Sequence, residues 1–102
     1  PGRQQFHPSA AKAWCRITAP GALESPSYNV ASITDTGIGD RTIVIDVDFS
    51  SSVWIAIASD STGDTGNNVM FLTFAVGSVR HVMTVGAVFT DMGSSFAGYG
   101  DQ

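Results

Sequence analysis

The residues that could serve catalysis are few in this sequence and lie far apart. His7 and His81 are the only histidines. A general base needs a carboxylate or a nucleophile within hydrogen-bond reach, and no spacing in the sequence brings one to either histidine. No Ser/His/Asp or Cys/His order with a local signature is present either. We therefore predict that both histidines are structural or surface residues and that the chain is not an enzyme.

The closest pair of carboxylates is Asp46 and Asp48. On a strand they would stand about 7 Å apart, inside the roughly 5–9.5 Å range of glycosidase carboxylates. A catalytic acid needs an apolar pocket to raise its pKa, whereas these aspartates alternate with apolar residues as a solvent-facing row does. We expect a solvated face, with ion binding or a subunit contact as the remaining alternatives.

The polar segment 60–68, DSTGDTGNN, is the first candidate for a binding surface. Its oxygen-rich side chains suit a cation, but it lacks the closing bidentate Glu and the ligand rhythm of an EF-hand. Loops at one end of a β-sandwich often carry recognition, so contact with a glycan or receptor is the functional interpretation, beside a plain flexible tip. No metal or cofactor is predicted. The candidate binding residues are Asp60, Thr62, Asp64, Asn67, Asn68 and Tyr99.

Aromatic side chains could stack on sugars, and the sequence offers Trp14, Tyr28, Trp54 and Tyr99 for this. Tryptophans inside strands are more often core or interface residues. Tyr99, near the carboxyl end, is the ring that we expect to be exposed.

Composition excludes several classes of partner. The net charge is −4, and the five Lys and Arg residues are scattered, which argues against nucleic acid and against an anionic membrane surface. No apolar run approaches the ~20 residues of a membrane span. A single cysteine, Cys15, excludes an internal disulfide, and its apolar neighbours indicate an inert buried thiol.

Strand signals recur along the chain and predict its fold class. Residues 41–49 alternate with a period of two, which places Ile43, Ile45, Val47 and Phe49 on one face. The turn residues 35–40, DTGIGD, predict a hairpin before that strand, and 69–76 with 79–89 predict a second one. Residues 53–59 are apolar on both faces and predict a central, doubly covered strand.

With 13–18, 28–34 and 96–99 added, the pattern gives six to seven short strands and negligible helix. We predict an all-β antiparallel β-sandwich or flattened barrel, with an extended lead-in at 1–12 and a single domain at 13–102.

Apolar residues are in excess for a small monomer. The apolar share is 43% and the charged share 14%, and residues 69–89 carry more apolar surface than one face of a two-stranded ribbon can bury. Either both faces are covered within the sandwich, or a neighbouring subunit covers one. We favour the second, and therefore a homo-oligomer.

The sequence also resembles small β-domains of bacteriophage and prophage proteins. The resemblance is carried by the run QQFHPSAAKAW at 4–14, which ends in AKAW at 11–14, by SYNV at 27–30 and SITDTGIG at 32–39, and by the ending GYGDQ at 98–102. It covers the first half of the chain well and the second half through strand rhythm alone. Such domains often belong to tail fibres or other tail-associated proteins.

This resemblance implies a virion-associated structural or receptor-binding role, commonly as a trimer, for a protein made in the bacterial cytoplasm. Its motif carries no chemistry. The alternative is a stand-alone carbohydrate- or small-ligand-binding β-sandwich without catalysis. A glycan or receptor of the host surface is the implied external partner.

Overall fold

The computed structural model describes residues 10–60, 67–86 and 88–101, and in this part of the chain every regular element is a β-strand. Two antiparallel sheets pack face to face, which confirms the predicted all-β sandwich. The strands are β1 (Ala13–Ile17), β2 (Leu23–Tyr28), β3 (Val30–Gly37), β4 (Asp40–Ile45), β5 (Ile55–Asp60), β6 (Asn67–Ala75), β7 (Ser78–Val85), β8 (Val88–Phe89) and β9 (Ser94–Tyr99). The described residues include no helix able to cross a membrane.

The first sheet has the order β2-β1-β9-β5, and the second has the order β3-β4-β7-β6 with the short β8 paired to β7. The chain passes from β2 directly into β3 and from β5 towards β6. The edges β2 and β3 therefore lie on one side of the sandwich, and the edges β5 and β6 lie on the other. We call these the β2/β3 side and the β5/β6 side.

Both predicted hairpins are confirmed. Strands β3 and β4 pair across a turn at Ile38 and Gly39, where Gly39 has a φ of +64°. A Cβ on Gly39 would lie 2.6 Å from the Met83 carbonyl oxygen, so the position requires glycine for space as well as for conformation. Strands β6 and β7 pair across Val76 and Gly77.

The predicted strand 79–89 is broken. Strand β7 ends at Val85, and Gly86, at φ +65°, begins the turn that lets β8 fold back onto β7. Both pairs of this short return, Thr84 with Phe89 and Val85 with Val88, lie next to the turn.

The predicted strand 41–49 is correct only as far as Ile45. Beyond Ile45 the backbone of Val47 bonds to the Asn29 side chain instead of to a neighbouring strand. The Asn29 Oδ1 accepts from the Val47 amide at 2.6 Å, and the Asn29 Nδ2 donates to the Val47 carbonyl at 3.1 Å. The ladder stops there, so Val47 is 60% exposed rather than inward, while Phe49 still reaches the core.

Strand β5 is at an edge and not at the centre, so the prediction for residues 53–59 is wrong. Among the described strands it pairs with β9 alone, and Ile55 and Ile57 are 64% and 57% exposed. An apolar pattern on both faces fits a doubly covered strand, and it fits equally an edge strand with a bare outer face. The central place next to β5 belongs to β9, which lies between β1 and β5.

Strand β2 was not predicted from the sequence. Its residues LESPSY include Pro26, which lacks a backbone donor and is tolerated on an edge strand. Of the predicted lead-in at 1–12, residues 1–9 lie outside the described part of the chain.

The core lies between the inner faces of the two sheets. Its buried hydrophobic members come from both sheets and from the segment between β4 and β5: Ala13, Cys15, Ile17, Val30, Ile43, Ile45, Phe49, Trp54, Val79 and Phe96. Cys15 is a free, buried thiol, as predicted, and burial raises its pKa to about 12.

Candidate binding surface

A row of apolar and aromatic residues crosses the outer face of the four-stranded sheet. Tyr28 on β2 is the cross-strand partner of Trp14 on β1, Trp14 pairs with Ala97 on β9, and Ala97 pairs with Ile57 on β5. Directly opposed residues on neighbouring strands share a face, so the four side chains form one continuous line. Trp14 is 41% exposed, and Tyr28 is close to it in exposure. We call this line the aromatic row.

A polar row runs beside it, displaced by two residues on β1, β9 and β5 and by four on β2, where the pairing with β1 shifts register. Glu24 pairs with Arg16, Arg16 with Ser95, and Ser95 with Ser59. The Ser59 and Ser95 hydroxyl oxygens lie 2.9 Å apart and share a hydrogen bond. The outer face thus places a charged and hydroxyl-rich border next to aromatic surface.

Tyr99 lies on the same outer face, on the other side of the aromatic row. It pairs with Ile55 of β5 and is a diagonal neighbour of Trp14, because Ala97, two residues before it, is Trp14's direct partner. The predicted exposed ring is half-buried. The structure therefore gathers Trp14, Tyr28 and Tyr99 on one surface, whereas Trp54 is a core residue at 6% exposure.

A shallow open groove of about 290 Å³ lies along β5 and β9 on the first sheet. Its lining is partly apolar and partly hydroxyl-bearing, and consists of Ile57, Ala58, Ser59, Ser95, Phe96 and Ala97. The groove adjoins both the aromatic row and the polar row. It can accept a flat ligand with one apolar face and a polar rim.

The other predicted site residues lie within the segment 60–68. Asp60 is the last residue of β5, and Asn67 and Asn68 are the first two residues of β6. Thr62 and Asp64 lie outside the described residues, as does His7. The assignment of binding to this segment therefore stays a prediction. Tyr99, at the far end of β9 from the Ser94–Asp60 pair, does not join it.

Sequence reasoning missed a serine–histidine contact. His81 Nε2 and Ser94 Oγ lie 2.9 Å apart, although the residues belong to β7 and β9 in different sheets. Both residues are fully buried. The Phe71 ring stacks on the imidazole with centroids 4.9 Å apart, and within the described part of the chain no acceptor pairs with His81 Nδ1. The pair therefore lacks both access for a substrate and the carboxylate that orients the histidine of a triad.

Arg41 lies opposite His81 across the β4–β7 ladder and is itself completely buried. Its guanidinium donates to the carbonyls of Thr18 (3.1 Å), Ala19 and Met92 (3.0 Å). Asp91 Oδ1, 3.6 Å from Nη2, is its ion-pair partner. Arg41 thus ties the β1–β2 turn and the segment before β9 to the second sheet.

The electrostatics of this buried cluster keep His81 neutral. Burial, and then the positive charge of Arg41, lower the pKa of His81 to about 4. A neutral imidazole fits a histidine that packs against Phe71 and shares one hydrogen bond with a serine. The role is structural, in line with the sequence-based interpretation.

Asp46 and Asp48 are both exposed and lie beyond the end of β4, so they do not form a strand row. Their solvated position is as expected, although their placement on a strand was wrong. No cluster of His, Cys, Asp and Glu able to hold a metal ion occurs among residues 10–60, 67–86 and 88–101.

The outer face of the five-stranded sheet has a different character. Asp40 and Arg80 form a two-point ion pair there, with Nε–Oδ1 at 2.9 Å and Nη2–Oδ2 at 2.7 Å, and this pairing lowers the pKa of Asp40. Met70 and Leu72 on β6 are exposed beside it. No aromatic residue of β3, β4, β6 or β7 is exposed on this face in the described residues.

Comparison of the chain with models of protein families, with curated proteins and with solved structures found no match.

Proposed function

We propose that the chain is a non-catalytic structural or receptor-binding module of a phage tail-like particle and that it works as a homo-oligomer. The observation that carries this proposal is the amount of apolar surface left bare by the sandwich. Trp14, Ile55 and Ile57 share the outer face of the first sheet and are 41%, 64% and 57% exposed. Patches of this kind on a small domain mark surfaces that contact other chains.

The phage context of the proposal comes from the sequence resemblance in the first half of the chain. The segments that carry it form β1, the β2–β3 connection and the β3–β4 hairpin, which are framework elements of the sandwich. That resemblance also supplies the expected number of three copies and a place in the virion. The bare apolar surface supports assembly independently of this context.

Light scattering at micromolar concentration tests the proposal. A mass of at least twice the 10.7 kDa of one chain is expected from assembly, and a mass near three times would support the trimer that the resemblance implies. A mass of one chain across a hundredfold range of concentration would contradict assembly. Immunolabelling of purified particles from a producing strain tests the location, and the absence of label on intact particles would contradict a virion role.

A second candidate function is binding of a carbohydrate by the outer face of the first sheet. The observation that favours it is the meeting of Trp14, Tyr28 and Tyr99 on one surface, beside the polar row. A sugar ring has an apolar C–H face that stacks on an aromatic ring and hydroxyls that bond to polar neighbours. Trp and Tyr offer an apolar body with a polar handle and suit such ligands.

Glycan-array binding followed by titration of tryptophan fluorescence tests this candidate. Trp14→Ala is expected to abolish binding. The control is Phe89→Ala, which removes a half-exposed ring from β8 and is expected to leave binding unchanged. A joint change of Asp64, Asn67 and Asn68 to Ala tests the segment 60–68. If this joint change abolishes binding and Trp14→Ala does not, the binding site lies in the segment 60–68 and not on the sheet face.

A further inference from the structure

The two sheets of the sandwich end in four edge strands, β2, β5, β3 and β6. An edge strand presents a row of unpaired amide and carbonyl groups, which can pair with a strand of another chain. Proteins obstruct such edges with proline, charge, bulges or short strands. The four edges of this sandwich differ in how far they are obstructed.

Both strands of the β2/β3 side carry obstacles. Strand β2 contains Pro26, which cannot donate to a ladder, and Glu24, which is exposed. Strand β3 has two register shifts in its pairing with β4, between Val30 and Ser32 and between Asp35 and Gly37. It also carries the exposed charge of Asp35. Neither edge offers a straight, uncharged template.

On the β5/β6 side, strand β6 is obstructed in part. Its pairing with β7 is regular from Asn67 to Leu72 and then shifts register before Ala75. Thr73, inside this shift, has a φ of +51°, a conformation rare for a β-branched residue. The bulge turns the second half of the β6 edge away from a straight course.

Strand β5 carries none of these obstacles from Ile55 to Ser59. All six of its residues pair in unbroken register with β9, from Ile55 opposite Tyr99 to Asp60 opposite Ser94. It has no proline, and its only charged residue is Asp60 at the carboxyl end. Ile55 and Ile57 project from its outer face and are more than half exposed.

We propose that the free edge of β5 pairs antiparallel with β5 of a second copy of this chain, joining the two four-stranded sheets into one continuous eight-stranded sheet. A two-fold axis at Ile57 sets the register: Ile57 faces its own copy, and Ile55 faces Ser59. Each copy then contributes the same patch, as a two-fold contact requires.

A second copy suits this edge because the edge is self-complementary. Antiparallel pairing brings Ile55 and Ile57 of both chains together on one outer face, where they cover each other and extend the aromatic row. It places the two Asp60 residues at opposite ends of the paired strands, roughly 20 Å apart from the strand rise. Parallel pairing would set them side by side.

The inference does not depend on the proposed phage role, since it rests on the edges of the sandwich alone. It specifies a contact between two copies, whereas the resemblance implies three. If three chains assemble into the particle and substitutions in β5 do not weaken that assembly, the proposed function is supported and this contact is wrong. If the chain forms a dimer that depends on β5 but is absent from particles, this contact is supported and the proposed function is wrong.

Analytical ultracentrifugation of the full chain, with a matched pair of variants, tests the contact. Ile57→Lys puts a charge at the centre of the proposed interface, and Ile38→Lys makes the same change at a hairpin turn where the isoleucine is 67% exposed. We expect wild type and Ile38→Lys to sediment as two chains and Ile57→Lys to dimerise at least tenfold more weakly. A wild-type monomer at 100 µM or above, or a dimer equally strong in Ile57→Lys, would overturn the proposal.

A cross-linking experiment covers the case in which Ile57→Lys fails to fold. Ile57→Cys places two thiols opposite each other at the two-fold axis, and mild oxidation is expected to yield a covalent dimer, whereas Ile38→Cys is expected to yield little. The native Cys15 does not compete, because it is buried at 2% exposure. Equal cross-linking of the two variants, or none in Ile57→Cys, would count decisively against β5 pairing.

Discussion

The two ends of the core are filled in different ways. Along the strands, one end holds a cluster of rings around Trp54, and the other holds the buried polar group of Arg41, His81 and Ser94. Phe71 lies between them, stacked on His81 and in edge contact with Phe96 at 5.7 Å. The same two sheets thus enclose an apolar end and a polar end.

The apolar end depends on close packing. Phe49 stacks on Trp54 with centroids 4.2 Å apart, and Phe74 meets the indole edge-on at 4.9 Å. The indole Nε1 donates to the Ala75 carbonyl at 2.9 Å, which satisfies its one polar atom. Gly100 leaves room for Trp54, because a Cβ there would lie 2.6 Å from the Cβ of Trp54. The described residues place no histidine at this end.

The polar end depends on hydrogen bonds to a cation. Arg41 donates to three backbone carbonyls, two between β1 and β2 and one in the segment before β9, and no apolar side chain could replace those bonds. Its charge also acts on His81 and helps to keep the imidazole neutral. The apolar end of the sandwich therefore owes its stability to close packing, which does not depend on pH. The polar end holds connecting segments in place through a buried cluster that acid can charge.

The largest expected effect comes from emptying the apolar end. Trp54→Ala removes the ring that three phenylalanines contact, and should destabilise the fold by about 3–5 kcal/mol. Urea denaturation followed by circular dichroism measures this. The control is Trp14→Ala on the outer face, where the ring is 41% exposed and a loss of about 1 kcal/mol or less is expected. Equal losses would mean that the Trp54 cluster is not the packing centre.

Breaking the polar end should cost nearly as much. Arg41→Met keeps much of the volume but leaves the carbonyls of Thr18, Ala19 and Met92 without their donor, for an expected loss of about 3 kcal/mol. Arg41→Lys keeps the charge without the planar fork and should recover only part of it. Amide exchange should rise in the turns at 18–22 and 90–93. A fully stable Arg41→Met protein with unchanged exchange would contradict this role.

Sequence predicted this division only in part. The alternation of 41–45 correctly placed Ile43 and Ile45 inward, and the same periodicity puts Arg41 inward too, although a charged residue at a strand start is normally taken as exposed. The Ser94–His81 contact joins strands of different sheets, and no spacing along the chain encodes it. It becomes visible only when the packing of one sheet on the other is known.

The outer surface was also hard to predict, for a physical reason. Periodicity separates the two faces of a strand but does not show which neighbour covers each face. For this reason the sequence predicts a central strand at 53–59, whereas β5 is an edge strand. The sequence identifies Trp14 and Tyr28 as aromatic candidates, but their cross-strand pairing depends on β2. Strand β2 is not predicted, because its proline and polar residues are untypical of a strand. The segment 60–68 stood out by composition alone.

Acid should destabilise the polar end of the core before it affects the apolar end. Burial and Arg41 lower the folded-state pKa of His81 to about 4, below the ordinary value of 6.5. The unfolded chain therefore binds a proton first, and stability is full above pH 6.5 and falls as the pH drops towards 4. The total loss is on the order of 3 kcal/mol, from about 1.4 kcal/mol per unit of pKa. Urea midpoints between pH 7 and pH 4.5 measure it.

The matched control for this pH dependence is the double variant His81→Phe/Ser94→Ala, which removes the titrating ring together with its partner. Its stability should be nearly flat between pH 6.5 and pH 4.5. The carboxylate of Asp40 does not interfere, because its pKa is lowered by Arg80 and its contribution is lost only as the pH falls below 3.8. If the stability of this variant falls with pH as steeply as that of the wild type, the acid sensitivity comes from another part of the chain.

The smallest expected effect separates two neighbouring serines on β9. Ser94→Ala removes the hydroxyl bonded to His81 in the core, and should cost about 1–2 kcal/mol because a buried ring nitrogen loses its partner. Ser95→Ala removes the hydroxyl bonded to Ser59 on the outer face, where solvent replaces the bond, and should cost less than about 0.5 kcal/mol. Combining Ser94→Ala with His81→Phe should recover part of the first loss, since neither group then lacks a partner. Additive losses would show that the two side chains do not interact, and the polar end would then rest on Arg41 alone.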